Sequence, residues 1–267
     1  MKNFNLNIIK KSFLKDGFVK VNGIFEKNLV NTLLNSIENS ENLKKADGVI
    51  FDDVNDKVML RYIPQPQNSE PIFLKLISSK LLNIGSILLD EEIYFSGIDI
   101  HCRAAKAEKP TPPHQDSFLA CFEDGYESLI TCYVSLSGMD EGTACLRFIK
   151  GSHKKPTLNH KKSLIRGFSS VIEDSSDGLP KEMLENEEII TLEKGECVFF
   201  HSKTIHYTNQ LEKPRSGRSS AAIRLGGFNA RYSSERQAVY KNNVKYNREN
   251  TKNEGLTAGL SKPQHNN

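Results

Sequence analysis

The chain has 267 residues, 37% hydrophobic and 26% charged, with a formal net charge of +3 at pH 7. That length suits one large domain or two small ones with a packed core. The mild charge, with no arginine-rich stretch interleaved with aromatics, argues against nucleic acid as a partner, and no apolar run is long enough to cross a bilayer. The five cysteines (Cys102, Cys121, Cys132, Cys145 and Cys197) form no C-x-x-C pair. Reduced, mostly buried thiols are expected rather than a disulfide framework or a zinc ribbon. Met1 to Lys11 carries lysines without a following apolar segment and cleavage site, so no secretory signal is expected and the cytoplasm is the expected location.

Along the chain, Ile8 to Leu14 reads as a short helix stopped by Gly17, and Phe18 to Val21 as a strand. Glu26 to Ile37 has apolar residues at a helical period. Lys44 to Gln67 is mixed, with a short strand expected at Val58 to Tyr62. Ser69-Glu70-Pro71 resembles a helix start, and one helix is expected from there to about Leu89, burying Phe73, Leu76, Ile77, Leu81, Ile84 and Leu88. From Ile93 the pattern changes to short, β-branched or aromatic segments: Ile93 to His101, Leu129 to Leu136, Ala144 to Ile149, Glu188 to Leu192, Glu196 to His201 and Ser219 to Phe228. Gly, Asp, Pro and Ser punctuate them, as in a sandwich or jelly roll. Helices first and strands second place the helices outside a double-sheet core. Residues 1–240 are expected to form one domain. Residues 241–267, polar and rich in Asn and Lys, are expected to be a loosely ordered tail or a packing arm.

Chemistry concentrates at His114-Gln115-Asp116. Residues i and i+2 of an extended strand point to one side, and Thr111-Pro112-Pro113 favours extended backbone here. A third ligand from a distant strand would complete a two-histidine-one-carboxylate site for Fe(II) with open positions for oxygen chemistry. His206 and His201 both compete for that third place, and spacing does not separate them. Arg218 could form a two-pronged salt bridge with the distal carboxylate of 2-oxoglutarate; Arg215 and Arg224 are its rivals.

In chain order, Asp16-Gly17-Phe18-Val19, Pro113-His114-Gln115-Asp116-Ser117, Gly142 to His153 and Gly195 to His201, then His206 and Arg218, resemble the phytanoyl-CoA dioxygenase (PhyH-like) family of Fe(II)/2-oxoglutarate oxygenases. The resemblance spans roughly residues 8 to 230. It implies a double-stranded β-helix, mainly β with flanking helices, and a cupin-like jelly roll. It assigns His114, Asp116 and His206 to iron, leaves His201 structural, and maps the cosubstrate arginine to Arg218. Thr131 is expected to add a hydroxyl to 2-oxoglutarate, with Tyr133 on the same strand face as its rival. The implied activity is hydroxylation of a C–H bond of a small-molecule metabolite, consuming O2 and 2-oxoglutarate and releasing succinate and CO2.

There are departures. Lys150 stands where the family's loop has proline, Gly142-Thr143-Ala144 follows its Asn-Gly loosely, and His206-Tyr207-Thr208-Asn209-Gln210 replaces its usual segment after the last ligand. A related halogenase would have Gly or Ala at 116, so the retained Asp116 speaks against halogenation. His153 is expected in a structural hydrogen bond. Arg103, Lys106 and Lys109 form a basic run that could meet an anionic substrate or be simply solvated. The alternatives are a non-redox cupin-like metal-binding protein or lyase, which would not need Arg218, and a zinc hydrolase, for which no H-E-x-x-H context exists.

Overall fold

The computed structural model describes residues 5–54, 57–104, 110–165, 168–173, 179–208 and 216–251. Helix α1 (Leu6–Asp16) starts where the Asn5 side chain accepts from the Ile8 N–H, and it ends at Gly17 with φ of 89°. A Cβ at Gly17 would meet the side chains of His153 and Thr204 at 2.5 and 2.7 Å, so close packing and backbone conformation both demand glycine. Strand β1 (Phe18–Val21) and helix α2 (Lys27–Asn39) follow, the helix burying Val30, Leu33 and Ile37. Next come α3 (Glu41–Lys44), β2 (Ile50–Val54) and β3 (Lys57–Pro64).

The single helix expected from 69 to 89 is two pieces: a 3-10 segment, Pro71–Leu76, and α4 (Ser79–Leu89). The break falls at Ser78, whose side chain caps the new helix by accepting from the Leu81 N–H at 3.2 Å. The remaining elements are β4 (Ile93–Arg103), α5 (Asp116–Leu119), β5 (Leu129–Ser135), β6 (Leu146–Ile149), β7 (His160–Ile165), β8 (Phe168–Ile172), α6 (Lys181–Leu184), β9 (Glu187–Ile190), β10 (Cys197–His201), β11 (His206–Thr208), β12 (Arg218–Gly227) and α7 (Ser234–Asn250).

The strands form a seven-stranded sheet in the order β1-β10-β5-β12-β4-β3-β2, a three-stranded sheet β11-β6-β9 and the pair β7-β8. Every pairing between named strands is antiparallel. The fold is thus mainly β with flanking helices, as expected. On the large sheet, Ile98, Ile100, Ile130, Cys132, Val134, Phe199, Ala221, Ile223 and Leu225 join the side chains of α1, α2 and α4 in the main core. Their alternates, including Tyr133, Val198, Phe200 and Ala222, pack with Leu146, Phe148 and Ile190 of the small sheet. This two-residue alternation sends every second residue of β4, β5 and β12 into the space between the sheets.

The boundary expected near 240 falls inside α7. That helix has no apolar stripe; it is held through asparagines. Asn243 donates to Ser170 Oγ at 3.0 Å, and the Asn247 amide donates to the carbonyls of Ser163, Ile165 and Phe168 at 2.8 to 3.1 Å. Up to Asn250 the polar segment is therefore a packing arm against the β7-β8 hairpin. Residues 252–267 lie outside the described residues.

Candidate metal centre and its cavity

His114 and His206 are brought together by backbone pairing. The two residues exchange N–H to carbonyl bonds at 3.2 and 3.1 Å, and Thr208 donates to the Thr111 carbonyl at 3.0 Å. The segment before α5 thus extends β11 by a short antiparallel ladder, with the imidazole centroids 4.1 Å apart. Gln115 is extended (φ −127°, ψ 128°), so His114 and Asp116 share one side while Gln115 points away. Gln115 is fully buried. Its amide donates to the Lys203 carbonyl at 2.7 Å, its side-chain oxygen accepts from the Leu158 N–H at 2.8 Å, and its backbone N–H donates to His160 Nε2 at 3.2 Å. One difference from expectation is local: Asp116 does not continue a strand but opens α5, because Ala120 donates back to its carbonyl at 2.8 Å.

Asp116 Oδ1 lies 3.8 Å from His114 Nε2 and 3.9 Å from His206 Nε2. One donor atom from each of the three buried residues falls within 4.8 Å of the others, a spacing that could hold a metal ion. Each ring also has a backbone partner on its other nitrogen. Nδ1 of His114 lies 2.8 Å from the Pro112 carbonyl, and Nδ1 of His206 lies 2.9 Å from that of Thr204. With Nδ1–H donating there, the Nε2 lone pairs are left for a metal, as ligating histidines require. Burial pushes both imidazoles down to about 4, so both are neutral at pH 7. Burial raises the Asp116 carboxyl, opposed by His114 and by the Thr131 hydrogen bond. Two neutral imidazoles and one carboxylate suit a divalent first-row ion, whose charge would offset the cost of an ionised buried Asp116.

These residues line a cavity of about 450 Å³ between the sheets. Arg218 is buried in its wall. Its Nε donates to the Ala144 carbonyl at 3.0 Å, and its Nη1 donates to Tyr133 Oη at 2.6 Å and to Ser220 Oγ at 3.1 Å. Among the described residues no carboxylate pairs with it. Arg224 also lines the cavity but is paired with Asp99. Arg215, Lys106 and Lys109 lie outside the described residues. Arg103 reaches Thr208 Oγ1 at 3.5 Å and lines the same cavity.

The Thr131 hydroxyl, expected at the cosubstrate, donates to Asp116 Oδ2 at 2.9 Å, and its rival Tyr133 accepts from Arg218. His201 stands outside the cluster: it shares the parity of Cys197 and Phe199 on β10, lies 6.2 Å from Phe13 between centroids, and its Nδ1 accepts from the Lys203 N–H at 3.0 Å. His153 packs over Gly17, with Nε2 3.2 Å from the Leu14 carbonyl.

Sequence reasoning missed Tyr62, Asp99, His101 and Tyr240, all of which line the cavity. A signal existed for two of them: Asp99 and His101 alternate with Ile98 and Ile100 along an otherwise apolar strand. Burial and the nearby Arg218 charge push His101 down to about 3.

The sequence profile of the phytanoyl-CoA dioxygenase (PhyH) family matches residues 13–217. No curated protein matches the chain by sequence. Among solved structures, the epimerase SnoN in complex with Fe3+, alpha ketoglutarate and nogalamycin RO is 18% identical, with 85% of each chain covered and a TM-score of 0.66. EctD from S. alaskensis with 2-oxoglutarate and 5-hydroxyectoine is 18% identical over 84% of this chain and 77% of that one, at a TM-score of 0.67. The non-heme alpha ketoglutarate dependent carbocyclase SnoK is 17% identical over 87% and 89%, also at 0.67. At these identities the likeness is one of fold.

Proposed function

Because the chain belongs to the phytanoyl-CoA dioxygenase family, we propose that it is an Fe(II)- and 2-oxoglutarate-dependent dioxygenase that hydroxylates a C–H bond of a small-molecule metabolite and releases succinate and CO2. One observation carries this reading: three buried metal donors share a cavity with a buried arginine that lacks a carboxylate partner among the described residues.

His114, Asp116 and His206 would hold the iron, whose bound form supplies the oxygen-activating chemistry. The protein's own part is placement. Thr131 orients Asp116 through its hydroxyl. Tyr133, Ser220 and the Ala144 carbonyl fix Arg218, leaving the rest of its guanidinium for the far carboxylate of 2-oxoglutarate. Cavity walls from both sheets surround the metal donors. Solved structures of similar fold include an epimerase and a carbocyclase, so hydroxylation is the proposed outcome among those this fold accommodates. The active unit runs through α7, which supplies cavity residue Tyr240. No helix among the described residues is long and apolar enough to cross a membrane. A cytoplasmic location is part of the same proposal, supported by five cysteines that are all free thiols.

The test is succinate release from 2-oxoglutarate by Fe(II)-loaded protein in air, with Arg218→Gln as the comparison. Loss of hydrogen bonds between charged groups is expected to weaken 2-oxoglutarate binding about 10- to 100-fold. A protein that binds metal but neither binds nor turns over 2-oxoglutarate would instead be the non-redox metal-binding protein.

A further inference from the structure

The cavity holds a second polar cluster that the metal donors and Arg218 do not use. Asp99 on β4 and Arg224 on β12 form an ion pair, with Asp99 only 4% exposed. Arg224 is opposite Thr131 in the β12-β5 register, and Thr131 is the residue that holds Asp116. The pair therefore stands beside the metal donors. Arg218 lies six residues earlier on the same face of β12, on the order of 20 Å along the strand, in register with Arg103. The Arg218 guanidinium is turned to Tyr133 and Ser220, that of Arg224 to Asp99.

The pair is incompletely satisfied. Only Arg224 Nη1 and Asp99 Oδ2 are in contact. Among the described residues, no other protein group bonds the remaining guanidinium N–H groups or Asp99 Oδ1. Tyr62 on β3 and Tyr240 on α7 line the same wall, both within electrostatic reach of Arg224. Neither hydroxyl hydrogen-bonds to a described residue. Asp99 is buried while the Arg224 side chain is 30% exposed, and both line the cavity, so the pair's remaining polar atoms are open to a ligand there. The neighbouring Arg61 is matched by Asp52 at 2.9 and 3.0 Å, so it adds no uncompensated charge. Tyr240 comes from α7, beyond the stretch matched to the family.

A ligand of net charge on this neutral pair would bury an uncompensated ion, whereas a zwitterion would continue the alternation of charge. Resting on the oxygenase reading above, we infer that the Asp99–Arg224 subsite takes a small zwitterionic substrate, a free amino acid or similar amino-carboxylate. The carboxylate lies on the open edge of Arg224 and the ammonium on Asp99, with Tyr62 and Tyr240 hydroxyls completing the contacts. Size agrees, since about 450 Å³ must hold the cosubstrate as well.

The experiment is anaerobic calorimetric binding to protein loaded with Fe(II) and 2-oxoglutarate. The probes are the protein L-amino acids, each compared with its decarboxylated amine and its N-acetyl derivative. At least one zwitterion is expected to bind, with both derivatives at least about tenfold weaker. Asp99→Asn should weaken that zwitterion by about tenfold or more while 2-oxoglutarate affinity holds. Should Asp99→Asn fail to fold, Tyr62→Phe and Tyr240→Phe are expected to weaken the zwitterion severalfold. Protein that binds 2-oxoglutarate but no zwitterion, or that binds the amine or N-acetyl form equally well, overturns the inference. So does unchanged zwitterion affinity in the folded variants. Failure to bind 2-oxoglutarate at all would strike the oxygenase reading instead.

Discussion

Thr131→Val separates orientation of the metal carboxylate from contact with the cosubstrate. The two side chains have nearly the same shape, and valine suits a strand, so β5 should be undisturbed. The lost group is a hydroxyl at a fully buried position, donating to Asp116 Oδ2 at 2.9 Å. A hydrogen bond to a charged group contributes about 1.5–3 kcal/mol, and partners that orient metal ligands typically set about 10- to 100-fold of metal affinity. Anaerobic Fe(II) titration of Thr131→Val should therefore show a dissociation constant raised by about that factor, and Thr131→Ser should restore most of it. At saturating metal, 2-oxoglutarate affinity should stay near that of the parent protein. Unchanged metal affinity with weakened 2-oxoglutarate binding would refute the assignment of this hydroxyl to Asp116.

Two further outcomes concern stability. Burial pushes His160 down to about 3, with Nδ1 2.9 Å from the Leu158 carbonyl and Nε2 accepting from the Gln115 N–H. The folded state therefore resists a proton that the unfolded chain takes up near pH 6.5. The His160 contribution is complete above that pH and declines as pH falls toward 3, by up to about 1.4 kcal/mol per pH unit. His160→Gln should flatten that part of the profile in urea denaturation between pH 6.5 and 4; an unaltered slope would exclude His160 as its source. Asn247→Ala removes three hydrogen bonds to hairpin carbonyls and should cost about 1–3 kcal/mol, seen as a lower thermal midpoint; no change would mean α7 is held by other contacts.

Strands with apolar alternation or continuous apolar runs were legible, because one or both of their faces are buried. β1 matches its expected span residue for residue, and β5, β10 and β12 match within one. Elements stabilised by polar contacts were not. β7 reads His-Lys-Lys-Ser-Leu-Ile, with no clean period, and its partner β8 depends on it. α7 is anchored by Asn243 and Asn247 rather than by an apolar stripe. β11 is only three residues long and exists through pairing with β6 and with the segment before α5, which local sequence cannot show. At the site, the H-x-D spacing and His206 were readable. Between His201 and His206, strand parity decides, and parity needs the register of β10. The Thr131 and Tyr133 hydroxyls were correctly placed on one face, yet their partners depended on where Asp116 and Arg218 end up across the sheets.

The central claim is that His114, Asp116 and His206 hold ferrous iron within reach of an Arg218-anchored 2-oxoglutarate. Anaerobic addition of Fe(II) and 2-oxoglutarate to the purified protein tests it most directly, through the weak visible charge-transfer band of the chelate. The band should appear in the parent protein, vanish in Asp116→Ala and require much more 2-oxoglutarate in Arg218→Ala. No band in a protein shown to have bound iron, or a band indifferent to both substitutions, would contradict the account.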